Sequence, residues 1–318
     1  MRNKTILITG GTGSLGQILV KEALRKKAKK IIVYSRHEFE QVEMRRNLED
    51  SKKVVRYFIG DVRDTKRLWR AFANVEIVIH VAALKHVDVA EYNPFEAIQT
   101  NIYGAENLIN AAIDRGVEKV LAISSDKAVN PANLYGATKL CADKLFVAAN
   151  AYSGKRGTKF SVIRYGNFAN SRGSVLPYFR ALVRQGIKDI PITDFAMTRF
   201  HITLERAVSL AFSALKTMKG GEIFAPKMPS FLITEAARAA YQDAELIKIG
   251  RRPGEKIHED LIVETDSDRT YEYKDWFITY PAFDWWDYDI SNDGGCRVPD
   301  GFTYCSKDNE QWLNASQL

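Results

Sequence analysis

Tyr135 and Lys139 have the residue types and the spacing that proton transfer from an alcohol requires. Side chains four residues apart on a helix project from the same face, and the surrounding sequence predicts a helix. A nearby ammonium group stabilises a phenolate and lowers the pKa of a tyrosine from its usual value of about 10. The pair therefore predicts a tyrosine that takes a proton from an alcohol.

A second group, Ser124-Ser125-Asp126-Lys127, ends a predicted strand eight residues before Tyr135. An acid beside a base at a strand end is compatible with a solvated turn or with an acid–base pair. Ligands of parallel sheets bind at the carboxyl ends of the strands, where Lys127 and Tyr135 can flank one substrate. A reaction that only moved hydride would not need this pair, so the group indicates a second reaction at the same site.

A third group is the segment TGGTGSLG from Thr9, in which Gly10, Gly13 and Gly16 follow a predicted strand and open a predicted helix. Glycine allows a tight turn and a close approach of the backbone to a pyrophosphate. The N–H groups and the dipole of the helix start favour negative charge. The order of strand, glycines and helix therefore predicts a dinucleotide site.

The residues after the next predicted strand bear on which dinucleotide binds. Where an NAD site places an acidic residue for the ribose, this chain has Ser35 and Arg36. Arg36 can pair with a 2′-phosphate, which favours NADP, whereas Glu38 could contact the ribose of NAD instead. Asp61 and Val62, at the end of the third predicted strand, lie where a doubly wound fold would hold the adenine.

Short β-branched runs alternate with segments of helical period in the first half of the chain, which predicts a doubly wound parallel sheet with helices on both faces. One helix should begin at Asn93-Pro94 and end at Arg115-Gly116, and another should run from about Asn133 to Tyr152 and stop at Gly154. Beyond about Tyr165 the alternation ends, and a smaller, less regular domain is expected. The predicted strands are Thr5–Thr9, Lys30–Tyr34, Val54–Ile59, Glu76–Val81, Lys119–Ile123 and Lys159–Arg164.

Composition excludes several classes of function. The 318 residues are 46% hydrophobic and 27% charged, as in globular proteins, and no apolar stretch predicts a membrane span. Three widely spaced cysteines fit neither a disulfide framework nor a zinc ribbon, so a cytoplasmic location is expected. The five histidines show no metal-ligand spacing. The net charge of +7 favours an acidic partner, and without a nucleic-acid module a phosphorylated small molecule is expected.

At these residues the chain resembles the extended short-chain dehydrogenase/reductases, and more closely the soluble, inverting UDP-N-acetylglucosamine 4,6-dehydratases of the pseudaminic acid pathway. The membrane-anchored, retaining relatives have an N-terminal transmembrane region and tend to carry methionine in place of the tyrosine. The resemblance spans nearly the whole chain. It rests on TGGTGSLG, YSRHE from Tyr34, FIGDVRD from Phe58, ALKHV from Ala83, AEYNP from Ala90, SSDKAVNPANLYGATKLCADKLF from Ser124, RYGNFANSRGSV from Arg164, PITDFAMTRFHIT from Pro191, RRPGEKIHE from Arg251 and YCSKDNEQWL from Tyr304.

This resemblance implies a mechanism with tightly bound NADP. Tyr135, helped by Lys139 and the Ser125 hydroxyl, takes the proton of the C4 hydroxyl while hydride leaves C4. Lys127 then removes the C5 proton and Asp126 protonates the departing C6 hydroxyl. Hydride returns to C6, and C5 is reprotonated on the opposite face. The product would be UDP-2-acetamido-2,6-dideoxy-beta-L-arabino-hex-4-ulose, the first intermediate of pseudaminic acid or a related surface glycan.

The resemblance also implies binding residues for both ligands. For the UDP-sugar they are Lys85, Asn167, Ser174, Arg199, Arg252, Glu255, Tyr304 and Ser306. For the cofactor they are Gly10, Thr12, Gly13, Ser14, Leu15, Gly16, Ser35, Arg36, Glu38, Asp61, Val62, Ala82, Ala83, Lys85, Ser124, Tyr135, Lys139 and Phe168.

Residues 1–165 with about 200–225 are expected to form the NADP domain, and about 166–199 with 226–318 the nucleotide-sugar domain. A homo-oligomer, dimer or hexamer, is implied by the resemblance. Four features depart from the family pattern: Ser125 in place of threonine, His201 in place of an aromatic residue, Val81 in place of a small residue, and a shortened segment from Ile233 to Leu246.

Two other functions stay open. A UDP-sugar 4-epimerase would use the same loop with Tyr135 and Lys139, but it would not need Asp126 and Lys127. A non-catalytic NADP-sensing regulator would share the fold and bind a partner through the aromatic C-terminal region, although such proteins usually lack the tyrosine and lysine pair.

Overall fold

The computed structural model describes residues 1–154, 157–169, 171, 173–286, 288–290 and 293–318. The strands are β1 (Thr5–Thr9), β2 (Lys30–Ser35), β3 (Val55–Ile59), β4 (Ile77–His80), β5 (Lys119–Ser125), β6 (Lys159–Tyr165), β7 (Asn167–Phe168), β8 (Asp189–Ile192), β9 (Thr198–Ile202), β10 (Ile223–Pro226), β11 (Ser230–Leu232), β12 (Glu245–Lys248), β13 (Asp260–Ile262), β14 (Thr270–Glu272), β15 (Trp276–Thr279), β16 (Cys296–Arg297) and β17 (Tyr304–Cys305). The α-helices are α1 (Ser14–Arg25), α2 (Glu38–Asn47), α3 (Thr65–Ala71), α4 (Val87–Tyr92), α5 (Pro94–Ile98), α6 (Gly104–Arg115), α7 (Leu134–Tyr152), α8 (Val175–Arg184), α9 (Leu204–Thr217) and α10 (Ile233–Ala240).

Ten of the described strands form one sheet in the order β16-β14-β15-β10-β6-β5-β4-β1-β2-β3. The seven strands from β10 to β3 run parallel, and β15, β14 and β16 continue the sheet in antiparallel fashion. The strand order reverses between β1 and β4, which opens a crevice at their carboxyl ends. This confirms the predicted doubly wound α/β fold.

The parallel strands are buried on both faces because helices cover each side. In β1, Ile6 and Ile8 belong to the core beneath α1 and α9, whereas Leu7 faces the core beneath α3, α6 and α7. All five residues of β1 are buried. The predicted strands are confirmed, with ends that shift by one or two residues.

Helix α7 matches its predicted bounds. The Asn133 side chain accepts a hydrogen bond from the Gly136 N–H, which caps the first turn, and the helix ends at Tyr152. The other predicted helix is divided: a π-helical turn, Gln99–Tyr103, separates α5 from α6. Such turns often lie at functional sites, and this one carries Asn101, which is described with the site below.

Smaller sheets cover the carboxyl ends of the large sheet. β7 pairs with β9 and β9 with β11, β8 pairs with β12, and β13 pairs with β17. Among the described residues no helix is long and apolar enough to cross a membrane. The short strands explain why hydrophobic periodicity was lost beyond about Tyr165, while β14 to β16 show that part of this region extends the large sheet.

Gly136 provides a test of how α7 packs on the turn that follows β5. A Cβ added at Gly136 would lie 2.2 Å from the Lys127 carbonyl oxygen, which is backbone and has little freedom to move. We expect Gly136→Ala to lower the free energy of unfolding by about 1–3 kcal/mol, the usual cost of overpacking. Urea denaturation measures this, with Ala137→Ser on the exposed side of the same turn as the control. Equal midpoints for both variants would contradict the packing described.

Candidate active site

The glycine loop lies between β1 and α1, at the crevice where the strand order reverses. Gly10 has a φ of +64°, and a Cβ there would lie 2.9 Å from the Ala82 N. A Cβ at Gly16 would lie 2.4 Å from the Gly10 carbonyl oxygen. Only glycine fits this turn, which brings its backbone and the N-terminus of α1 to the crevice. These residues fit the pyrophosphate of a dinucleotide.

The end of β2 carries the residues expected near the adenosine ribose. An Nη of Arg36 lies 3.8 Å from Asp61 Oδ2, and half of the Arg36 side chain is exposed. Gln41 donates to the Ser35 hydroxyl oxygen at 2.9 Å. Glu38 lies at the exposed start of α2. The loosely held guanidinium is therefore available to an added phosphate.

Other predicted cofactor residues also lie around the crevice. Thr12 donates to Glu40 at 2.8 Å, and the Ala82 N–H donates to the Thr9 hydroxyl at 3.2 Å. The Ser124 hydroxyl, at the carboxyl end of β5, is buried without a hydrogen-bond partner among the described residues. A buried hydroxyl of this kind fits a ligand group at the crevice. Also near the crevice are Gly13 at the start of α1, Ser14 and Leu15 in its first turn, Val62 packed on Gly104, Ala83 after β4, and Phe168 in β7.

Tyr135 and Lys139 lie in α7 and are both buried. Lys139 Nζ donates to the Ile123 carbonyl oxygen at 2.8 Å, which ties the helix to β5. Burial lowers the pKa of Lys139, although the neighbouring Asp143 opposes this. Asp143 in turn pairs with Arg164 at 3.0 Å beneath the site.

The turn Asp126–Ala128 brings the predicted acid and base beside Tyr135. Ser125 Oγ donates to Asp126 Oδ1 at 2.9 Å, and Lys127 Nζ donates to the same oxygen at 3.1 Å. Asp126 is fully buried, and its Oδ2 has no hydrogen-bond partner among the described residues. The structure thus places Ser125, Asp126, Lys127 and Tyr135 in one cluster.

Glu259, which the sequence did not single out as a site residue, completes this cluster. Its Oε1 lies 3.4 Å from Lys127 Nζ and 3.8 Å from Arg199 Nε, and its Oε2 lies 2.8 Å from Lys256 Nζ. Glu259 is 132 positions from Lys127 in sequence, and its only sequence signal was the match to RRPGEKIHE.

The two carboxylates have opposite pKa shifts. Burial raises the pKa of Asp126, with a further contribution from Glu259. Although burial also opposes ionisation of Glu259, the charges of Lys127, Arg199 and Lys256 lower its pKa to about 2. Carboxylates whose environments separate their pKa values take different roles, and Asp126 is the one suited to donate a proton.

The same charges shift the pKa values of Lys127 and Tyr135. Burial lowers the pKa of Lys127, but Asp126 and Glu259 outweigh it and hold the pKa above its ordinary value. Burial raises the pKa of Tyr135 to about 12, against the lowering effects of the Lys127 ammonium and of a hydrogen bond with Ser125. The sequence predicted that the Lys139 ammonium would lower the pKa of Tyr135, but in the structure burial raises this pKa, and the cation that opposes the rise is Lys127.

Asn101 is a second residue that the sequence did not indicate. It lies in the π-helical turn and forms hydrogen bonds that hold neighbouring segments of the site together. Asn101 Oδ1 accepts from the Leu84 N–H at 2.8 Å, and Nδ2 donates to the Leu84 carbonyl at 2.9 Å and to Thr138 Oγ1 at 2.9 Å. It joins the segment after β4 to α7. No pattern marked it, since it occupies an ordinary position of the predicted helix.

Arg199 has a structural role that the sequence did not predict. Its Nη groups donate to the carbonyl oxygens of Thr198, Lys256 and Ile257 at 2.7 to 3.0 Å and to the Met197 sulfur at 3.1 Å. With Nε facing Glu259, its donors are engaged within the protein. These contacts do not favour the predicted contact with a diphosphate.

The closing residues at the C-terminus are also engaged. The Tyr304 hydroxyl accepts from the Met228 N–H at 2.8 Å, and the Ser306 hydroxyl accepts from the Glu259 N–H at 2.9 Å. By contrast Arg252 is exposed, and its N–H donates to Glu255 at 3.1 Å in the loop before Glu259. Arg252 is thus the predicted diphosphate ligand whose guanidinium faces solvent.

The remaining predicted substrate residues are divided between two places. Asn167 and Ser174 line a cavity with Phe231 and with His201, one of the departures from the family pattern. Lys85 is exposed after β4. Val81, a second departure, donates its N–H to the Thr9 hydroxyl at 3.0 Å, and the shortened segment after Ile233 forms α10 and β12. Among the described residues no group of histidine, cysteine and acidic side chains is placed to hold a metal.

Comparison with known proteins shows the family of the chain. Residues 6–281 match the family described as "Polysaccharide biosynthesis protein". The chain belongs to this family. A relative in Campylobacter jejuni subsp. jejuni serotype O:23/36 (strain 81-176), named UDP-N-acetylglucosamine 4,6-dehydratase (inverting), is 50% identical over 99% of this chain and 96% of its own length. The resemblance read from the motifs is thereby confirmed.

Other proteins similar to this chain bear different names. A UDP-glucose 4-epimerase of Rickettsia felis (strain ATCC VR-1525 / URRWXCal2) is 41% identical over 82% of this chain and 78% of its own length. The X-ray structure of Pen from Bacillus thuringiensis matches this chain with a TM-score of 0.90 and 36% identity. The match covers 99% of this chain and 96% of the Pen chain. The fold is shared with DesIV, a dTDP-glucose 4,6-dehydratase from Streptomyces venezuelae with NAD and TYD bound (TM-score 0.71, 22% identity, covering 80% and 86%).

His80 gives a pH prediction for this region. Thr9 Oγ1 accepts the N–H groups of Val81 and Ala82 and so offers its proton to His80 Nδ1 at 2.8 Å, which keeps the ring neutral. Burial, with a smaller effect of Lys139, lowers the pKa of His80 to about 3.

Since the unfolded chain binds a proton at His80 below about pH 6.5 and the folded chain does not, the stability that depends on neutral His80 is lost as the pH falls from there toward 3. We expect His80 to lower the free energy of unfolding by about 1.4 kcal/mol for each pH unit below 6.5, and His80→Gln should remove this pH dependence. Urea denaturation from pH 7 to pH 4 measures both slopes. Parallel slopes for the two proteins would contradict a neutral, buried His80.

Proposed function

We propose that this chain is a 5-inverting UDP-N-acetylglucosamine 4,6-dehydratase that uses tightly bound NADP. The observation that carries the proposal is the cluster of Asp126, Lys127 and Tyr135 at one strand end, in a chain 50% identical to relatives of that name. The product would be UDP-2-acetamido-2,6-dideoxy-beta-L-arabino-hex-4-ulose. The family description, polysaccharide biosynthesis, is consistent with a role in pseudaminic acid or related surface-glycan synthesis.

Each residue of the cluster has a separate role in the proposed reaction. Tyr135, supported by Ser125 and Lys139, accepts the proton of the C4 hydroxyl. NADP, held by the glycine loop after β1 and by Arg36, would supply the hydride chemistry at C4 and C6. Lys127 becomes the free amine when its ammonium gives a proton to the Asp126 carboxylate, which lies 3.1 Å away, and the amine then takes the C5 proton made acidic by the 4-keto group.

Asp126 completes the elimination of water. Its raised pKa supports a protonated carboxyl that gives its proton to the departing C6 hydroxyl, so the C6–O bond breaks as the C5=C6 bond forms. Its unpartnered Oδ2 is the oxygen available to carry that proton. Reprotonation of C5 on the opposite face then gives inversion.

The division of labour between domains stays a proposal. Residues 1–165 with about 200–225 would hold NADP, and about 166–199 with 226–318 would hold the UDP-sugar. Arg252 and Glu255, beside the RRPGEK loop, and Asn167 and Ser174, at their shared cavity, would contact the UDP-sugar. A homo-oligomer and a cytoplasmic location stay predictions.

A UDP-sugar 4-epimerase is the second candidate, favoured by relatives named UDP-glucose 4-epimerase at 40% and 41% identity. Epimerisation needs Tyr135 and the cofactor, but it leaves the C5 proton and the C6 hydroxyl in place. The buried Asp126 next to Lys127 would then have no part in the reaction.

One experiment separates these functions. Purified protein is incubated with UDP-N-acetylglucosamine in deuterated water without added cofactor, and the sugar is followed by NMR. We expect a 4-keto-6-deoxy product with deuterium at an inverted C5. UDP-N-acetylgalactosamine without deuterium would establish the epimerase instead.

Two variants test the roles of the acid–base cluster. Lys127→Met should lower the rate of water elimination by about 10²–10⁴, the usual contribution of general base catalysis, because no amine remains to take the C5 proton. Tyr135→Phe should lower the earlier oxidation at C4. Rapid-quench NMR and cofactor absorbance separate the two steps, with Lys144→Met on the exposed face of α7 as the control. If Lys127→Met still eliminated water and inverted C5 at the wild-type rate, the role of Lys127 as the base would be wrong.

Arg36 tests the cofactor preference. If its guanidinium pairs with a 2′-phosphate, Arg36→Ala should weaken NADP binding by at least tenfold, equivalent to about 1.5–3 kcal/mol for a charged hydrogen bond, and leave NAD binding nearly unchanged. Calorimetric titration of apoprotein measures both affinities, with Arg46→Ala in α2 as a matched control. An equal loss for both dinucleotides would argue that Arg36 does not read the phosphate.

A further inference from the structure

Glu259 is a buried charge of the site that no step of the proposed reaction uses. It is 2% exposed and lies directly before β13. Lys127, Arg199 and Lys256 face its two carboxylate oxygens at 2.8 to 3.8 Å. Burying a carboxylate is costly unless partners compensate for the lost water, so Glu259 and its three cationic partners depend on one another.

Its position is fixed from several elements at once. Ser306 accepts the Glu259 N–H at 2.9 Å and donates its own N–H to the Glu259 carbonyl at 2.8 Å, next to the pairing of β13 with β17. Arg199 holds the preceding carbonyls of Lys256 and Ile257. Lys256 Nζ also donates to the Val129 carbonyl at 2.8 Å, just beyond the turn that carries Lys127. The C-terminal segment therefore holds the carboxylate at a set place beside Lys127.

Lys127 is held between two carboxylates. Its Nζ lies 3.1 Å from Asp126 Oδ1 and 3.4 Å from Glu259 Oε1, while 24% of its side chain stays exposed. A lysine side chain has many rotamers, and one carboxylate alone leaves most of them open. The second carboxylate therefore restricts the position of the amine further.

We propose that Glu259 is a positioning residue: its carboxylate holds the Lys127 amine beside Asp126 and stabilises its charged form until the substrate arrives. This positioning role depends on the proposed function in one respect only, namely which proton Lys127 takes from the substrate. Ser306 and Arg199 support the site through Glu259.

The charges around Lys127 determine the sign of the effect. Asp126 and Glu259 favour the ammonium, Arg199 opposes it, and the neighbouring Tyr135 is protonated. Removing the charge of Glu259 therefore lowers the pKa of Lys127, and the free amine exists at lower pH.

The first test needs neither substrate nor cofactor. Wild-type protein and Glu259→Gln are treated with trace acetic anhydride across pH 7 to 11, and acetylation of Lys127 is measured by mass spectrometry against an exposed lysine, Lys144. In Glu259→Gln the labelling of Lys127 at pH 9 should rise about tenfold for each unit by which its pKa falls. An unchanged labelling profile would overturn the proposal.

Two further variants control for damage to the fold. Lys256→Met removes a partner of Glu259 but keeps the carboxylate beside Lys127, so labelling of Lys127 should stay as in the wild type or move to higher pH. Glu259→Asp keeps the charge and should restore most of the wild-type profile, and it carries the test if Glu259→Gln does not fold. A shift of equal size and sign in Lys256→Met and Glu259→Gln would mean that the effect is general loosening, against the proposal.

The second test uses C5 deuterium exchange from UDP-N-acetylglucosamine. In Glu259→Gln the rising limb of the pH profile should move to lower pH while the maximal rate falls, because the amine is freer but less well placed. A lower rate with an unmoved limb would contradict the proposal. If wild-type protein shows no C5 exchange while labelling still shifts, the proposed function fails and the role of Glu259 in holding Lys127 stands.

Discussion

Burial of charge at the carboxyl end of β5 is the constraint on which the site depends. Asp126 and Glu259 are almost completely enclosed, and a carboxylate removed from water is costly unless cations and hydrogen bonds replace its solvation. Lys127, Arg199 and Lys256 supply that compensation. Because the compensation is unequal, one carboxyl favours its proton and the other its charge, which gives the site an acid and a fixed anion within a few ångströms of one amine.

This requirement explains the architecture beyond the parallel sheet. The short pairing of β13 with β17 is weak by itself, yet it brings Ser306 to the backbone of Glu259. Arg199 in β9 uses its donors on the backbone next to Glu259, and Asn101 joins α7 to the segment after β4. Ser306 and Arg199 reach Glu259 across long stretches of sequence, so the C-terminal segments act on chemistry located at β5 and α7.

The two halves of the chain differ in how far they could be predicted. Strand β1, the glycine turn and helix α7 follow from local patterns: a buried apolar run, glycines where a Cβ would strike backbone, and an asparagine cap. The π-helical turn escaped prediction because one extra residue in a helix leaves no mark in composition. Arg199 and Tyr304 were expected at the ligand because the family resemblance implies it, and their role there stays a prediction. No local pattern indicated that the Arg199 donors and the Tyr304 hydroxyl would form hydrogen bonds inside the protein.

The sequence by itself determined the doubly wound fold and the dinucleotide loop, because these depend on residue types at short, regular spacing. It indicated the family through a resemblance of motifs that spans nearly the whole chain. It also placed Tyr135 and Lys139 on one face of a helix and Asp126 beside Lys127. Only the tertiary structure decided that Glu259 lies 3.4 Å from Lys127 Nζ, and that Asp126 and Glu259 have opposite pKa shifts. The physical reason is that solvation and charge act through space, so the state of Lys127 depends on a residue 132 positions away that no local pattern connects to it.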